Sequence, residues 1–337
     1  MRFKKLYIKN FKSLIDVEII EPNRFTVFVG PNGSGKSNTF EAIELASYAK
    51  RFSFIASANS EWVYTEWLKV FGGYESIRPK INSSGPLAIG FQDEAENRFI
   101  FLDLYDDKAN EDFKKSAIPI FTLREDDKFS LLRSCSRIFI GKSSLNRISQ
   151  SPVEILESDG SNLEVILKYI FEDQATKEEI TEWLQIFVPE FEKIEIQVSS
   201  LSGSSELAIY EKKLKQPLSK NLISDGTYNI LSLLALIYQK KEPQFLLIEE
   251  PENGLHPYVI RELVNFFRRQ CEEKGHYIWL NTHSQTLVDE LKPHEIILVD
   301  KIDGVTQIKQ LSKDKDMHGM KMDFAWLSNA LGGGVPW

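Results

Sequence analysis

Residues 25–37 constrain the fold of this chain more than any other stretch, because they read FTVFV and then GPNGSGKS. The first five are β-branched or aromatic and predict a buried strand, and the residues after Ser37 suit a helix. The loop between them carries the complete pattern G-x-x-x-x-G-K-[ST], which in a strand–loop–helix context indicates phosphate binding. A glycine-rich turn without a ligand would not require Lys36 and Ser37 at this spacing.

Each residue type in this loop has a chemical reason to be there. Glycine lets the backbone curl so that successive N–H groups point at phosphate oxygens, and Lys36 supplies a compact positive charge for binding and catalysis. The hydroxyl of Ser37 is predicted to bind Mg²⁺. The residues predicted to line the nucleotide site are Gly30, Pro31, Asn32, Gly33, Ser34, Gly35, Lys36, Ser37 and Asn38.

Length and composition set the class of protein. With 337 residues, 42% of them hydrophobic and 27% charged, we expect one large α/β domain with an inserted lobe, or two domains. No apolar run approaches the ~20 residues of a membrane span, and residues 1–8 alternate charged and apolar types, unlike a secretion signal. We therefore expect a cytoplasmic protein without a membrane partner. A net charge of −8 argues against a surface that coats nucleic acid, although it allows a local basic patch.

The pattern of elements after residue 220 is regular, because helical and strand-like segments alternate as in parallel α/β sheets. Before it, alternating runs predict a hairpin at 4–8 and 15–20 and another at 87–92 and 98–105. The other predicted helices are 61–70, 162–171, 177–187, 226–239, 257–273 and 285–291, and the other strands are 136–140, 193–198, 206–210, 244–248, 277–281 and 295–300. The two cysteines, Cys135 and Cys271, lack metal-type spacing and are predicted to be reduced packing residues.

Two adjacent carboxylates end a second buried-strand pattern, FLLI followed by Glu249 and Glu250. Most Glu-Glu pairs are solvated, but the four apolar residues before this pair argue against an exposed position. With the phosphate loop present, Glu249 is predicted to bind Mg²⁺, directly or through water, and Glu250 to polarise the attacking water.

Two further segments are candidates for the same site. His283 follows the apolar run 277–280, at the carboxyl end of a strand where α/β sheets bind ligands, and is predicted to hydrogen-bond the terminal phosphate. The segment Ser224, Asp225, Gly226 and Thr227 starts a helix. It is either a plain N-terminal cap or a second anion site that meets the terminal phosphate of a nucleotide bound to another subunit.

The order of these motifs resembles the ABC-type ATPases of the RecF, SMC and Rad50 class, most closely the AAA_21-like and OLD-like ATPases. The resemblance covers about residues 1–50 and 220–300. It implies that 224–227 is the ABC signature, that 252–257 is the D-loop, and that two heads sandwich two ATP molecules. It also implies that Asn10, Phe11 and Lys12 form the N-terminal element from which a basic side chain approaches the nucleotide.

Some features of these ATPases are missing from this sequence, and their absence excludes particular functions. Residues 50–215 show no sustained heptad pattern, so a coiled-coil arm is not expected. Gln92 is a candidate for the glutamine loop. OLD-like nucleases continue into a TOPRIM domain, whereas here about forty residues follow the last predicted strand, so any nuclease is expected to be another polypeptide.

The middle and the end of the chain leave two questions open. Basic residues around the apolar run 138–140 could contact DNA phosphates or form a solvated face; they are Arg133, Arg137, Lys142 and Arg147. Residues 324–337 combine a short amphipathic helix with an aromatic tip, which suits either partner docking or packing on the body.

Together these observations predict an α/β P-loop NTPase fold of the ABC head type, with an antiparallel β subdomain and an inserted mixed α/β lobe. The expected parts are 1–50 and 216–311 for the head, 51–215 for the subdomain and lobe, and 312–337 for a tail. The expected function is an ATPase that forms an ATP-dependent homodimer and regulates a separate effector, a nuclease, in a defence or DNA-processing system. The alternatives are a transporter's ATP-binding subunit, disfavoured by Glu249 in place of the usual Asp, and a nucleotide sensor with little hydrolysis.

Overall fold

A computed structural model describes residues 2–52, 69–81, 85–95, 98–103, 130–139, 155–198, 205–315, 317 and 319–331. The strands, numbered in chain order, are β1 Phe3–Phe11, β2 Leu14–Ile20, β3 Phe25–Val29, β4 Leu87–Asp93, β5 Arg98–Asp103, β6 Cys135–Phe139, β7 Phe191–Val198, β8 Ser205–Glu211, β9 Leu218–Ser219, β10 Phe245–Glu249, β11 Tyr277–Thr282, β12 Ile296–Ile302 and β13 Val305–Gln310.

The helices lie between and after these strands. They are α1 Lys36–Phe52, α2 Tyr74–Ile77, α3 Ser130–Arg133, α4 Leu163–Ile170, α5 Gln174–Phe187, α6 Asp225–Tyr238, α7 Pro257–Glu273, α8 Gln285–Asp289 and α9 Met322–Leu327, with a 3₁₀ turn at Pro293–Glu295. The predicted helix 61–70 lies almost entirely outside the described residues.

A six-stranded sheet forms the centre, in the order β13-β12-β3-β11-β10-β6. Its strands are parallel except β13, which pairs antiparallel with β12. Parallel strands buried on both faces read as continuous apolar runs, which is why β3 and β10 were recognisable in the sequence. A second sheet, β2-β1-β4-β5, is antiparallel, and β7, β8 and β9 form a third.

Two hydrophobic cores lie on opposite faces of the central sheet, because successive side chains of a strand point to opposite sides. Val27, Ile248 and Leu280 pack in one core with α6 and α7. Phe28 and Trp279 pack in the other with α1 and the antiparallel sheet. This arrangement brings the carboxyl ends of β3, β10 and β11 together at one edge of the sheet.

Two observations bear on the predicted division of the chain. β6, which falls within the predicted 51–215 segment, is an edge strand of the central sheet and pairs with β10. The predicted tail also joins the body, because Met322, Trp326 and Leu331 are buried in the core that holds α6. The apolar face of α9 therefore packs inward, which answers the question that the sequence left open for residues 322–331.

Both cysteines are buried, as the predicted packing role requires. In the part of the chain that the structure describes, no helix is long and apolar enough to cross a membrane.

Candidate active site

The phosphate loop joins β3 to α1 and is shaped by its glycines. Gly33 and Gly35 have φ angles of 77° and 106°, which L-residues with a Cβ rarely adopt. A Cβ on Gly30 would lie 2.0 Å from the backbone oxygen of Val299, so this position leaves no room for a side chain. Lys36 Nζ donates to the carbonyl oxygens of Gly30 at 2.6 Å and Pro31 at 3.0 Å, which folds the lysine back over its own loop.

Residues of the β1–β2 turn and of β13 contact the phosphate loop and stabilise it. Thr306 Oγ1 donates to the carbonyl oxygen of Ser34 at 2.8 Å and lies 2.6 Å from Ser13 Oγ. Asn38 Nδ2 donates to the same Ser13 oxygen at 2.8 Å. The sequence did not indicate Ser13 or Thr306, because their proximity depends on the β1–β2 turn and on β13.

A hydroxyl and a carboxylate meet where the phosphate loop faces β10. Ser37 Oγ donates to Glu249 Oε2 at 2.7 Å. Asn281 Nδ2 donates to the same carboxylate oxygen at 2.6 Å and approaches Ser37 Oγ at 3.3 Å. Hard oxygen donors of this kind fit Mg²⁺, which prefers one or two protein oxygens plus substrate phosphates and water. Ser37 and Glu249 are thus brought together as the sequence suggested, and Asn281 is an addition.

Arg137 on β6 binds the other oxygen of the same carboxylate. Its Nε donates to Glu249 Oε1 at 2.9 Å, and its Nη2 also contacts that oxygen. Its Nη1 donates to Glu44 Oε2 at 3.0 Å and lies 3.7 Å from Glu41 Oε1. Burial opposes the charged form, but Glu249, Glu44 and Glu41 outweigh it and raise the pKa of the guanidinium.

For Arg137, this position corrects both alternatives that the sequence left open, contact with DNA and a solvated face. Arg137 is only 5% exposed, so it is not available to DNA. Its guanidinium lies among three carboxylates, those of Glu249, Glu44 and Glu41. Arg133 is exposed at the end of α3, whereas Lys142 and Arg147 lie outside the described residues.

Glu250 follows β10 and adopts a left-handed backbone conformation, with φ of 48°. Its N–H donates to the carbonyl oxygen of Asn281 at 2.9 Å, which ties the turn to β11. Asn253 Nδ2 donates to Glu250 Oε2 at 3.1 Å, and His283 Nδ1 lies 3.7 Å from Glu250 Oε1. The structure therefore brings Glu250 and His283 together beside Ser37 and Glu249.

A further carboxylate, Glu252, is buried beneath this turn. Thr282 Oγ1 donates to its Oε1, while its Oε2 has no hydrogen-bond partner among the described residues. Burial raises the pKa of this carboxyl group. Glu252 thereby joins the loop after β10 to the end of β11, where His283 begins its turn.

The start of α6 lies against the loop that follows β10. Ser224 caps the helix by accepting from the N–H of Thr227 at 3.1 Å, as one of the two predicted interpretations requires. Asn229 Nδ2 donates to the carbonyl oxygens of Pro251 at 3.2 Å and Asn253 at 2.7 Å. A Cβ on Gly226 would lie 2.5 Å from the backbone oxygen of Gly254, so the two loops are in close contact.

The N-terminal element is arranged differently from the expectation. Phe11 is fully buried in the core with α1, so its side chain is not placed to contact a nucleotide. Asn10 Nδ2 donates to the carbonyl oxygen of Pro86 at 3.0 Å, and Lys12 forms an ion pair with Glu41 on α1. Gln92 pairs with Lys5, at the end of β1 remote from Lys12, and the structure does not bring it to the site.

The sequence profile of a family described as "AAA domain, putative AbiEii toxin, Type IV TA system", AAA_21, matches residues 25–289, well over half of the chain. The chain belongs to the AAA_21 family. It is an ABC-type ATPase of the RecF and SMC class, as the order of its motifs indicated.

Similarity to curated relatives of this AAA_21 protein is confined to short stretches. The chain is 44% identical over 52 residues to the DNA replication and repair protein RecF of Leptospira biflexa serovar Patoc. It is 52% identical over 40 residues to the chromosome partition protein Smc of Methanocaldococcus jannaschii. The matches span 14% of that RecF and 3% of that Smc.

Solved structures extend the likeness to the whole fold. The SMC head domain from Thermotoga maritima is 17% identical, with a TM-score of 0.51, and the alignment covers 93% of this chain and 100% of that one. An Smc head bound to the C-winged helix domain of ScpA is 15% identical, with a TM-score of 0.54, and the alignment covers 92% and 98% of the two chains. At these identities the likeness establishes the α/β P-loop fold of this AAA_21 chain.

Proposed function

We propose that this AAA_21 protein binds Mg·ATP at the loop 30–38 and hydrolyses it with Glu250 as the base. The observation that carries the proposal is the 2.7 Å approach of Ser37 Oγ to Glu249 Oε2, with Glu250 next in the chain. A nucleotide in the loop would therefore have a metal-binding pair and a separate carboxylate beside its phosphates.

The chain's own residues divide the work. Lys36 would exchange the carbonyl oxygens of Gly30 and Pro31 for phosphate oxygens, so its ammonium group would have oxygen acceptors in both states. Ser37 and Glu249 would hold Mg²⁺, which when bound would neutralise charge on the phosphates. Asn281 fixes the Glu249 oxygen that faces Ser37.

Glu250 orients and deprotonates the attacking water. Asn253 holds one of its carboxylate oxygens, which leaves the other directed towards His283. His283 then donates to the terminal phosphate, a contact that strengthens as charge develops there. Both residues stand on turns anchored by the backbone bond between Glu250 and Asn281.

The same proposal includes a head-to-head homodimer closed over ATP. Ser224, Asp225, Gly226 and Thr227 of one copy would meet the terminal phosphate held by the other copy, where the free N–H groups at the start of α6 favour an anion. Supporting this, 221–225 and 253–258 form one edge in which Leu222 is 67% and Tyr258 53% exposed. Exposed apolar side chains beside a polar helix start are typical of an interface.

The biological role is proposed at a coarser level, as control of a separate effector nuclease in defence or DNA processing. The family description mentions a toxin system, and the chain resembles part of a DNA repair protein. We expect the product of an adjacent gene to co-elute with Glu250→Gln protein in Mg·ATP and not with Lys36→Ala protein. Duplex DNA added to the turnover assay tests a contact with DNA.

The central experiment compares ATP binding and turnover. Glu250→Gln should lower turnover by roughly 100-fold or more while retaining Mg·ATP by calorimetry, because only the base is lost. Lys36→Ala should lose binding. Glu272→Gln removes an exposed carboxyl group on α7 and serves as the control. Its ATP binding and turnover should match those of the wild type. Equal turnover in wild type and Glu250→Gln would remove Glu250 from catalysis and favour a nucleotide sensor.

The homodimer is tested separately by light scattering. Glu250→Gln protein should double in mass on addition of Mg·ATP, because slow hydrolysis preserves the closed state. A monomer mass with ATP bound would contradict the dimer while leaving the assigned ATP site intact.

A further inference from the structure

Arg137 is a buried cation that the proposed reaction does not use. It stands on the edge strand β6, directly opposite Leu247 in the register with β10, and its side chain is 1% exposed. Its guanidinium contacts carboxylates from two elements, Glu249 on β10 and Glu44 on α1. Its Cζ also lies over the ring of Phe139, 4.2 Å from the ring centroid.

The two oxygens of Glu249 therefore have different partners. Oε1 accepts from Nε and Nη2 of Arg137, and Oε2 accepts from Ser37 and Asn281. A carboxylate held on one oxygen by a planar fork presents the other in a fixed direction. Oε2 is the oxygen directed at the hydroxyl of the phosphate loop.

We propose that Arg137 is a positioning residue that holds Glu249 in a fixed orientation and pairs its charge before Mg²⁺ arrives. The inference rests on the proposed ATP site and adds a role for β6 in it. The consequence is for the binding of ATP in the absence of metal. With Arg137 present, the triphosphate approaches a site whose metal-binding carboxylate is already paired with a cation.

Removal of Arg137 would reverse this balance. Glu249, Glu44 and Glu41 would face one another, with Lys12 paired to Glu41 on the side nearer the N-terminal element. Uncompensated carboxylates in a buried setting repel an incoming triphosphate unless another cation joins them. Binding of ATP would then depend on Mg²⁺ far more than in the wild type.

The experiment measures the dissociation constant of ATP by calorimetry in EDTA and in Mg²⁺. The quantity compared between variants is the dissociation constant in EDTA divided by that in Mg²⁺. In Arg137→Gln this ratio should rise by about tenfold or more over wild type, through weaker metal-free binding. Arg137→Lys retains the charge and should keep the ratio within about threefold of wild type. Arg269→Gln, which removes an exposed arginine paired with Glu273, should leave the ratio unchanged.

A second variant controls for the possibility that Arg137→Gln alone fails to fold. Arg137→Gln combined with Glu44→Gln removes one charge of each sign and should fold, yet it still deprives Glu249 of its cation and should show the same rise. An unchanged ratio in either folded variant, or an equal rise in Arg137→Lys, would overturn the role of the charge. If the wild type bound no ATP in Mg²⁺, the proposed function itself would fall and this inference with it.

Discussion

At the scale of single residues, the site combines paired and unpaired buried carboxylates. Glu249 accepts hydrogen bonds on both oxygens, whereas Glu252 accepts from Thr282 on one oxygen and has no partner for the other among the described residues. A buried carboxylate without full compensation prefers the proton, which is why burial raises the pKa of Glu252. The side chain serves as a link between two loops and costs stability when it ionises.

The raised pKa predicts a pH-dependent stability. The folded protein holds the proton of Glu252 more tightly than the unfolded protein does. The stability that this proton contributes is therefore complete below the ordinary pKa of 4.5 and is lost as the pH rises through the raised pKa of the folded state. Glu252→Gln, which cannot ionise, should therefore be more stable than wild type at pH 8, by about 1 kcal/mol or more. Denaturant unfolding from pH 8 to pH 5 should show the difference shrinking.

The control for this prediction is Glu272→Gln, an exposed carboxyl change on α7. Its difference from wild type should not follow the same pH trend. A constant advantage of Glu252→Gln at every pH would indicate a packing effect and contradict the electrostatic explanation.

At the scale of elements, β13 shows how a strand outside the motifs shapes the site. It pairs antiparallel with β12 across the two-residue turn Asp303–Gly304, whose φ angles are 50° and 82°. Asp-Gly with two positive φ angles is a common hairpin turn, so the sequence did carry a signal for this strand. Through Thr306, β13 holds the phosphate loop at Ser34.

Thr306→Val tests this support. The change keeps the shape but removes the hydroxyl that donates to the Ser34 carbonyl, leaving a buried acceptor unsatisfied at a cost of about 1–3 kcal/mol. We expect lower stability in denaturant unfolding and weaker ATP binding by calorimetry. Thr306→Ser retains the hydroxyl and should restore most of the affinity. Equal affinity in Thr306→Val and wild type would show that the loop does not depend on β13.

At the scale of the whole molecule, the arrangement of loops suits a second copy. Asn229 binds the backbone of Pro251 and Asn253, so the start of α6 and the loop after β10 move as one unit. Glu250 belongs to that loop. Closure of a dimer on the exposed edge 221–225 and 253–258 would therefore act directly on the position of Glu250, the proposed catalytic base, in the same chain.

Leu222→Arg in a Glu250→Gln background tests the edge. Mg·ATP should bind with unchanged affinity, yet the mass increase in light scattering should be lost, because a charge replaces an apolar contact. Ile20→Arg is the matched control, since Ile20 is 48% exposed at the end of β2 farthest from Ser13. Dimer formation by Leu222→Arg protein, or its loss in both variants, would contradict an interface at this edge.

Local patterns in the sequence were enough to predict the central α/β fold and the pieces of the nucleotide site. The run before Gly30 and the run before Glu249 are apolar over consecutive residues, and α7 was predicted with the bounds that the structure has. Such features depend on neighbours in the chain, so the sequence displays them directly. The order of the motifs then identified the class of ATPase.

Other properties were decided by tertiary structure, because they depend on residues far apart in the chain. Arg137 is separated from Glu249 by 112 positions, and its basic neighbours in the sequence fitted an exposed position, either on DNA or in solvent. Only the pairing of β6 with β10 turns it inward to that carboxylate. Likewise, Phe11 and Trp326 have sequence contexts that fit ligand or partner contact, and burial assigns both to packing. Burial and long-range charge pairing are properties of the assembled sheet, which the local sequence does not contain.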